Sequence, residues 1–159
     1  MMNWSSWLIW GFAATVVLTT ISALSQGLGL TRMNLPYMLG TIFTPDRDRA
    51  RAYGLGVHFL SGWVFSLVYV IVFQKLGAAG WWRGAIIGLI HAMFVLVVVV
   101  ALLPGFHSRM AGEQHGPAAH NMLEPPGFMA LNYGIRTPLS VLLSHIVFGI
   151  ILGTFYQLR

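Results

Sequence analysis

Cysteine and charged residues are the two classes that this sequence lacks. It contains no cysteine, which excludes disulfides, thiolate metal sites and thiol chemistry. Charged residues make up only 8% of the chain and hydrophobic residues 57%, whereas soluble domains ordinarily carry about 25% charged residues. So small a polar fraction cannot cover the surface of a water-soluble particle, and the sequence predicts a protein embedded in a membrane.

The few charges leave four long uncharged runs. No Asp, Glu, Lys or Arg occurs before residue 32, or within residues 52–74, 84–108 and 137–158. Each run exceeds the roughly 20 residues that a helix needs to cross the hydrocarbon layer, where backbone groups must bond one another. We therefore expect an all-α polytopic membrane protein, a single domain over residues 1–159 with four transmembrane helices. The predicted helices cover about residues 8–30, 52–73, 82–103 and 138–156.

Basic residues are unevenly divided between the two sides of this predicted bundle. The longer connections, residues 31–51 and 104–137, lie on one side and together hold six arginines, against three basic residues on the other side. Because basic loops tend to stay in the cytoplasm, both connections are predicted to be cytoplasmic and both termini periplasmic. The net charge of +5 does not point to nucleic acid, since the arginines are too few and too scattered to form a footprint.

Two apolar segments share one pattern. HFLSGWVFSLVY starts at His58 and HIVFGIILGTFY starts at His145; each has a glycine four residues on, a small residue four further and a tyrosine three after that. Residues at this spacing share a helical face, and small residues let helices in a membrane approach closely. We therefore expect helices two and four to approach each other through these faces, and Tyr69 and Tyr156 to lie at the outer interface. The match also suggests two parallel repeats of a helical hairpin.

Three histidines on three predicted helices, His58, His91 and His145, are candidate cofactor ligands. An ionisable group inside the hydrocarbon needs a partner and marks a functional-site hypothesis. His58 and His145, at matched depth and beside small residues, fit bis-histidine ligation of a haem, with His91 less well matched. A proton or ion path along the three rings is a second hypothesis. In a third, each imidazole only bonds a neighbouring helix, for example at Ser22 or Gln26.

The long connection carries a second cluster, in the stretch HSRMAGEQHGPAAHNMLE. Imidazole and carboxylate groups suit zinc, copper or iron, so His107, Glu113, His115 and His120 are candidate metal ligands. Their spacing matches no metal motif, and a solvated polar loop is the alternative. The sequence has no phosphate-cradling glycine loop, nucleophile elbow or paired-carboxylate site, which disfavours an enzyme.

At LPYMLGTIF, HFLSGWVFSLVY, WWRGAIIGL and HIVFGIILGTFY the chain resembles small four-helix bacterial inner-membrane proteins. The resemblance implies a bacterial source, the inner (plasma) membrane and a four-helix fold, and it brings no activity and no site residues. With no enzymatic site in view, we expect a structural or accessory protein of the lipid bilayer that acts by assembling with itself or within a larger membrane complex. The alternative functions are a haem or metal-binding redox protein and a proton or ion conductor.

Overall fold

Four long helices dominate the structure. The computed structural model describes residues 2–111 and 123–159. Its four long helices, numbered first to fourth below, are Trp4–Gly27, Arg47–Leu76, Trp81–Phe106 and Thr137–Phe155, and each is long and apolar enough to cross a membrane. The predicted all-α fold with four helices of this kind is confirmed. The second begins five residues before its predicted start, at Arg47.

Local signals set the ends of these helices. The side chain of Asn3 accepts a hydrogen bond from the backbone N–H of Ser6 at 3.1 Å and so caps the first long helix. Asp46 caps the second by accepting from the N–H of Arg49 at 2.8 Å, and its negative charge suits the positive end of the helix dipole. Gly77 ends that helix in the left-handed conformation, with φ of 63°.

The third long helix is irregular in its second half. A π-helical turn occupies Val95–Val99 and separates regular α-helix on either side. Such turns widen a helix locally, and they occur frequently at functional sites. Here Val95 and Val99 belong to the wall of the central cavity described below.

Close helix contacts form within each hairpin, and this corrects one prediction. A methyl group added at Gly84 of the third long helix would lie 1.9 Å from the carbonyl oxygen of Gly149 of the fourth, so the two backbones touch. In the other hairpin, Gly62 lies against Thr15 of the first long helix. The expected close approach of the second and fourth long helices through their small-residue faces is therefore wrong. Each face packs instead on the helix that precedes it in the chain.

The two longer connections lie at one end of the bundle and pack against it. Leu35–Thr41 forms a short helix whose backbone touches the second long helix, since a methyl group at Gly40 would lie 1.6 Å from the carbonyl oxygen of Ala50. Phe128–Tyr133 forms a 3-10 segment in the other connection. The N–H of Arg32 donates to the carbonyl of Tyr133 at 2.8 Å, which ties the two connections together.

Candidate functional site

A cavity of about 160 Å³ lies between the four long helices. The first long helix contributes Thr15 to its wall, and the second, third and fourth contribute His58, His91 and His145. The structure therefore brings together the three histidines that the sequence selected as candidate ligands.

His91 is held by neighbours on two helices. Its Nδ1 lies 3.0 Å from the hydroxyl of Tyr69 in a hydrogen bond between the third and second long helices. Its ring stacks on Phe65, with the ring centroids 4.3 Å apart. It also meets the ring of His145 edge to face, at 4.7 Å and 90°. The three rings of Tyr69, His91 and His145 thus form a contiguous chain.

The hydrogen bond of His145 defines its tautomer. Its Nδ1 lies 2.8 Å from the carbonyl oxygen of Val141, one turn back in the same helix. A carbonyl oxygen can only accept, so in the neutral ring Nδ1 carries the proton and Nε2 keeps its lone pair. His145 therefore offers a hydrogen-bond acceptor that no group of its own helix uses.

His58 is the least satisfied of the three. The residue is only 8% exposed, and its Nε2 is buried without a hydrogen-bond partner among the residues that the structure describes. A buried polar atom left unpaired costs about 1–3 kcal/mol. Neither partner named in the third hypothesis bonds this nitrogen: Ser22 donates to the carbonyl of Leu18, and the amide oxygen of Gln26 accepts from Asn34.

A second space, of about 260 Å³, adjoins the cavity on the side of the two connections. Ser22, Met33 and His58 belong to the walls of both spaces. The second space extends to Asn34 and to the exposed side chain of Arg51, so it forms a mouth with polar side chains in a mostly apolar wall. His58 stands where the mouth meets the inner cavity.

The opposite end of the cavity is closed by packed aromatic and aliphatic side chains. Tyr69, Phe73 and Leu152 are at most 1% exposed in one apolar cluster. Beyond them, Tyr156 is 4% exposed and its hydroxyl accepts from the backbone N–H of Asn3 at 3.2 Å. The predicted place of both tyrosines at the outer interface concerns their depth in the membrane and stays a prediction. They share the packing face of their helices, which buries them.

The cavity does not fit the haem that the histidine pair suggested. Its volume is close to that of an engineered cavity of about 150 Å³ that accommodates one benzene ring, whereas a haem carries four pyrrole rings in one plane. His91, the less well matched candidate, contacts His145 ring to ring, which leaves no room for a macrocycle between these two. Among residues 2–111 and 123–159, no three His, Asp or Glu side chains are grouped to hold a metal ion.

His107, one of the predicted metal ligands, serves the packing of the two connections. It is fully buried, and its Nε2 lies 2.9 Å from the carbonyl oxygen of Met38 and 3.2 Å from Oγ1 of Thr41. Its Nδ1 accepts from the backbone N–H of Arg109 at 3.1 Å. Both ring nitrogens are thus bonded within the protein, so His107 does not present a free lone pair to a metal. The other candidate ligands, Glu113, His115 and His120, lie outside the described residues.

Sequence reasoning missed the partners of His91 and the shape of the cavity wall. Tyr69 was detectable, because it shares a helical face with Gly62 and Ser66, and a packing face is buried. No sequence signal indicated the stacking of Phe65 or the π-helical turn. The sequence matches no protein-family profile, and no curated protein or solved structure is significantly similar to it.

Proposed function

We propose that the chain is a multi-pass protein of the bacterial inner membrane, with its two longer connections in the cytoplasm and both termini in the periplasm. Four helices of membrane-crossing length support this placement, as do the six arginines on the side of the connections. The bacterial inner membrane comes from the sequence resemblance. Reporter domains fused after Ser108 and after Gln157 test the orientation of the chain. The first fusion is active in the cytoplasm and the second in the periplasm, and the opposite pattern overturns the orientation.

The two hairpins are, in this proposal, parallel repeats. In the second long helix, the residues four and eight positions after the histidine pack on the first, as Gly62 on Thr15 and Ser66 on Gly11. In the fourth, the corresponding glycines pack on the third long helix. These pairs are Gly149 with Gly84, and Gly153 with Gly80. A shared contact pattern of this kind is what duplication of one hairpin produces.

The function that the geometry supports best is that of an accessory membrane protein that binds a small ligand between its helices. The observation that carries this proposal is the central cavity, whose wall includes His58, His91 and His145 from three helices and which has a mouth at one end. A helix bundle is a common place for a small-molecule site, which is concave, mostly apolar and provided with a few polar groups. The small-residue faces are used for packing inside the chain.

A cavity-filling variant with a matched control tests this function. Val95 lines the cavity, whereas Val97 is 44% exposed on the outside of the same helix. Unfolding of the purified protein in detergent is followed with and without benzene, phenol, anisole or cyclohexanol. A ligand at 100 times its Kd stabilises the fold by about 2.7 kcal/mol. We expect such stabilisation by at least one compound in the wild type and in Val97→Phe, and its loss in Val95→Phe. Equal responses of the two variants would count against a site in the cavity.

Proton transfer is a second candidate function, favoured by the chain of rings from Tyr69 through His91 to His145. Imidazole and phenol groups in contact can pass protons. The buried side chains of the closed end separate this chain of rings from the outer side, so conduction requires a second conformation. Proton flux into liposomes with an imposed potential tests it, with His91→Phe as the variant. Flux that is no faster than in empty liposomes excludes conduction.

A further inference from the structure

Four hydroxyl groups of the cavity wall donate their protons to backbone carbonyls. Thr15 and Ser22 of the first long helix donate to the carbonyls of Gly11 and Leu18, at 2.7 and 2.9 Å. Ser61 and Ser144 donate in the same way to carbonyls of their own helices, at 2.8 and 2.9 Å. A hydroxyl that donates once keeps two lone pairs. These four oxygens therefore face a ligand as acceptors.

The histidines add to this excess of acceptors. Nε2 of His145 is an acceptor because Nδ1 donates to Val141. His91 and Tyr69 satisfy each other at one ring nitrogen. His58 adds one N–H and one lone pair in its neutral form, which leaves the balance unchanged. The lone pairs of the four hydroxyl groups and of His145 are therefore available to a ligand that brings a hydrogen-bond donor of its own.

Charge excludes the most obvious donors, which are cations. Among the residues that the structure describes, the wall of the cavity contains no Asp or Glu, and a buried cation without a counter-ion carries a large desolvation cost. The donor is therefore a neutral group such as a hydroxyl.

The remaining walls suit a single aromatic ring. Phe65, His91 and Phe148 present rings to the cavity, among aliphatic side chains, and aromatic rings pack favourably edge to face or offset-stacked. The volume of about 160 Å³ is close to the roughly 150 Å³ that holds benzene in an engineered cavity.

We propose that the cavity binds a small neutral aromatic molecule that carries a hydroxyl group, that is, a phenol, whose O–H donates to Nε2 of His145. The proposal rests on the ligand-binding function proposed above and names the ligand class of that site. The ring lies against Phe65 and Phe148, and the mouth beside His58 is its entrance.

Binding of 4-fluorophenol and 4-fluoroanisole, followed by fluorine NMR in lipid nanodiscs, tests the proposal. 4-Fluoroanisole carries a methyl group in place of the hydroxyl proton of 4-fluorophenol. The signal from empty nanodiscs corrects for partition of each probe into lipid. We expect saturable binding of 4-fluorophenol to the wild type and to Val97→Phe, and none to Val95→Phe. We expect 4-fluoroanisole to bind the wild type at least about tenfold more weakly than 4-fluorophenol does, because it cannot form the hydrogen bond to the buried acceptor. In protein labelled with nitrogen-15 at histidine, 4-fluorophenol shifts the Nε2 resonance of His145 and 4-fluoroanisole does not.

His145→Phe keeps a ring at this position and removes the acceptor, so the preference for 4-fluorophenol over 4-fluoroanisole disappears while the far-UV circular dichroism is kept. Equal affinity of the wild type for both probes overturns the phenol inference and leaves the ligand-binding function intact. Stabilisation by cyclohexanol as strong as by phenol overturns the aromatic part of the inference. If benzene, phenol, anisole and cyclohexanol all fail to stabilise the protein and neither fluorinated probe binds saturably, both proposals fall.

Discussion

The contact between the third and fourth long helices leads to a sharp prediction about Gly84→Ala. The added methyl group would lie 1.9 Å from the carbonyl oxygen of Gly149 and 3.1 Å from the backbone nitrogen of Gly153. Real methyl carbons essentially never come closer than 3.0 Å to another heavy atom. The obstacle is backbone rather than a side chain that can rotate, so the helices must separate by about 1 Å along their line of contact.

The expected cost follows from two opposing effects. Overpacking a close interface costs about 1–3 kcal/mol, and a clash of backbone with backbone lies at the upper end, near 3 kcal/mol. Alanine favours the helix over glycine by about 1 kcal/mol. The net loss in free energy of unfolding is therefore about 2 kcal/mol. In Gly56→Ala the added methyl group meets nothing within 4 Å. Only the higher helix propensity of alanine then acts, and the free energy of unfolding should rise by up to about 1 kcal/mol.

Unfolding of both variants in mixed detergent and SDS, followed by circular dichroism and tryptophan fluorescence, measures this difference of roughly 3 kcal/mol. Gly62→Ala provides an intermediate case, since its methyl group would meet the side chain of Thr15 at 2.4 Å, and a side chain yields more readily than backbone. The expected order of stability is Gly56→Ala, then Gly62→Ala, then Gly84→Ala. If Gly84→Ala is as stable as Gly56→Ala, the backbone contact that defines this hairpin does not exist.

Three further predictions concern the connections and the absence of haem. Burial, with a contribution from Glu124, raises the pKa of Tyr133 to about 12. Unfolded tyrosine titrates near 10, so the unfolded state loses its proton first and the free energy of unfolding falls between about pH 10 and 12; the fall should be smaller in Tyr133→Phe. His107→Leu leaves the N–H of Arg109 unpaired and should cost about 1–3 kcal/mol in unfolding experiments, without changing the metal content. The purified protein should show no Soret band, and a band lost in His58→Ala would contradict the size argument.

The number of long apolar helices was predictable from sequence alone. Uncharged runs longer than the bilayer is thick leave no other stable backbone arrangement, so composition suffices. The candidate histidines were found for the same reason, since an imidazole stands out in an apolar helix. The burial of Tyr69 was also predictable, because its spacing from Gly62 and Ser66 places it on the packing face of the helix.

Which faces meet was decided only by the tertiary structure. Gly62 and Gly149 occupy the same place in the two repeated segments and look equally able to pack on each other. Each packs instead on the helix before it, on Thr15 and Gly84 respectively. A small-residue face fits any other small-residue face, so sequence shows that a helix has a close contact but not with which partner. The cavity depends on the same choice, because the space between four helices is set by how all of them cross.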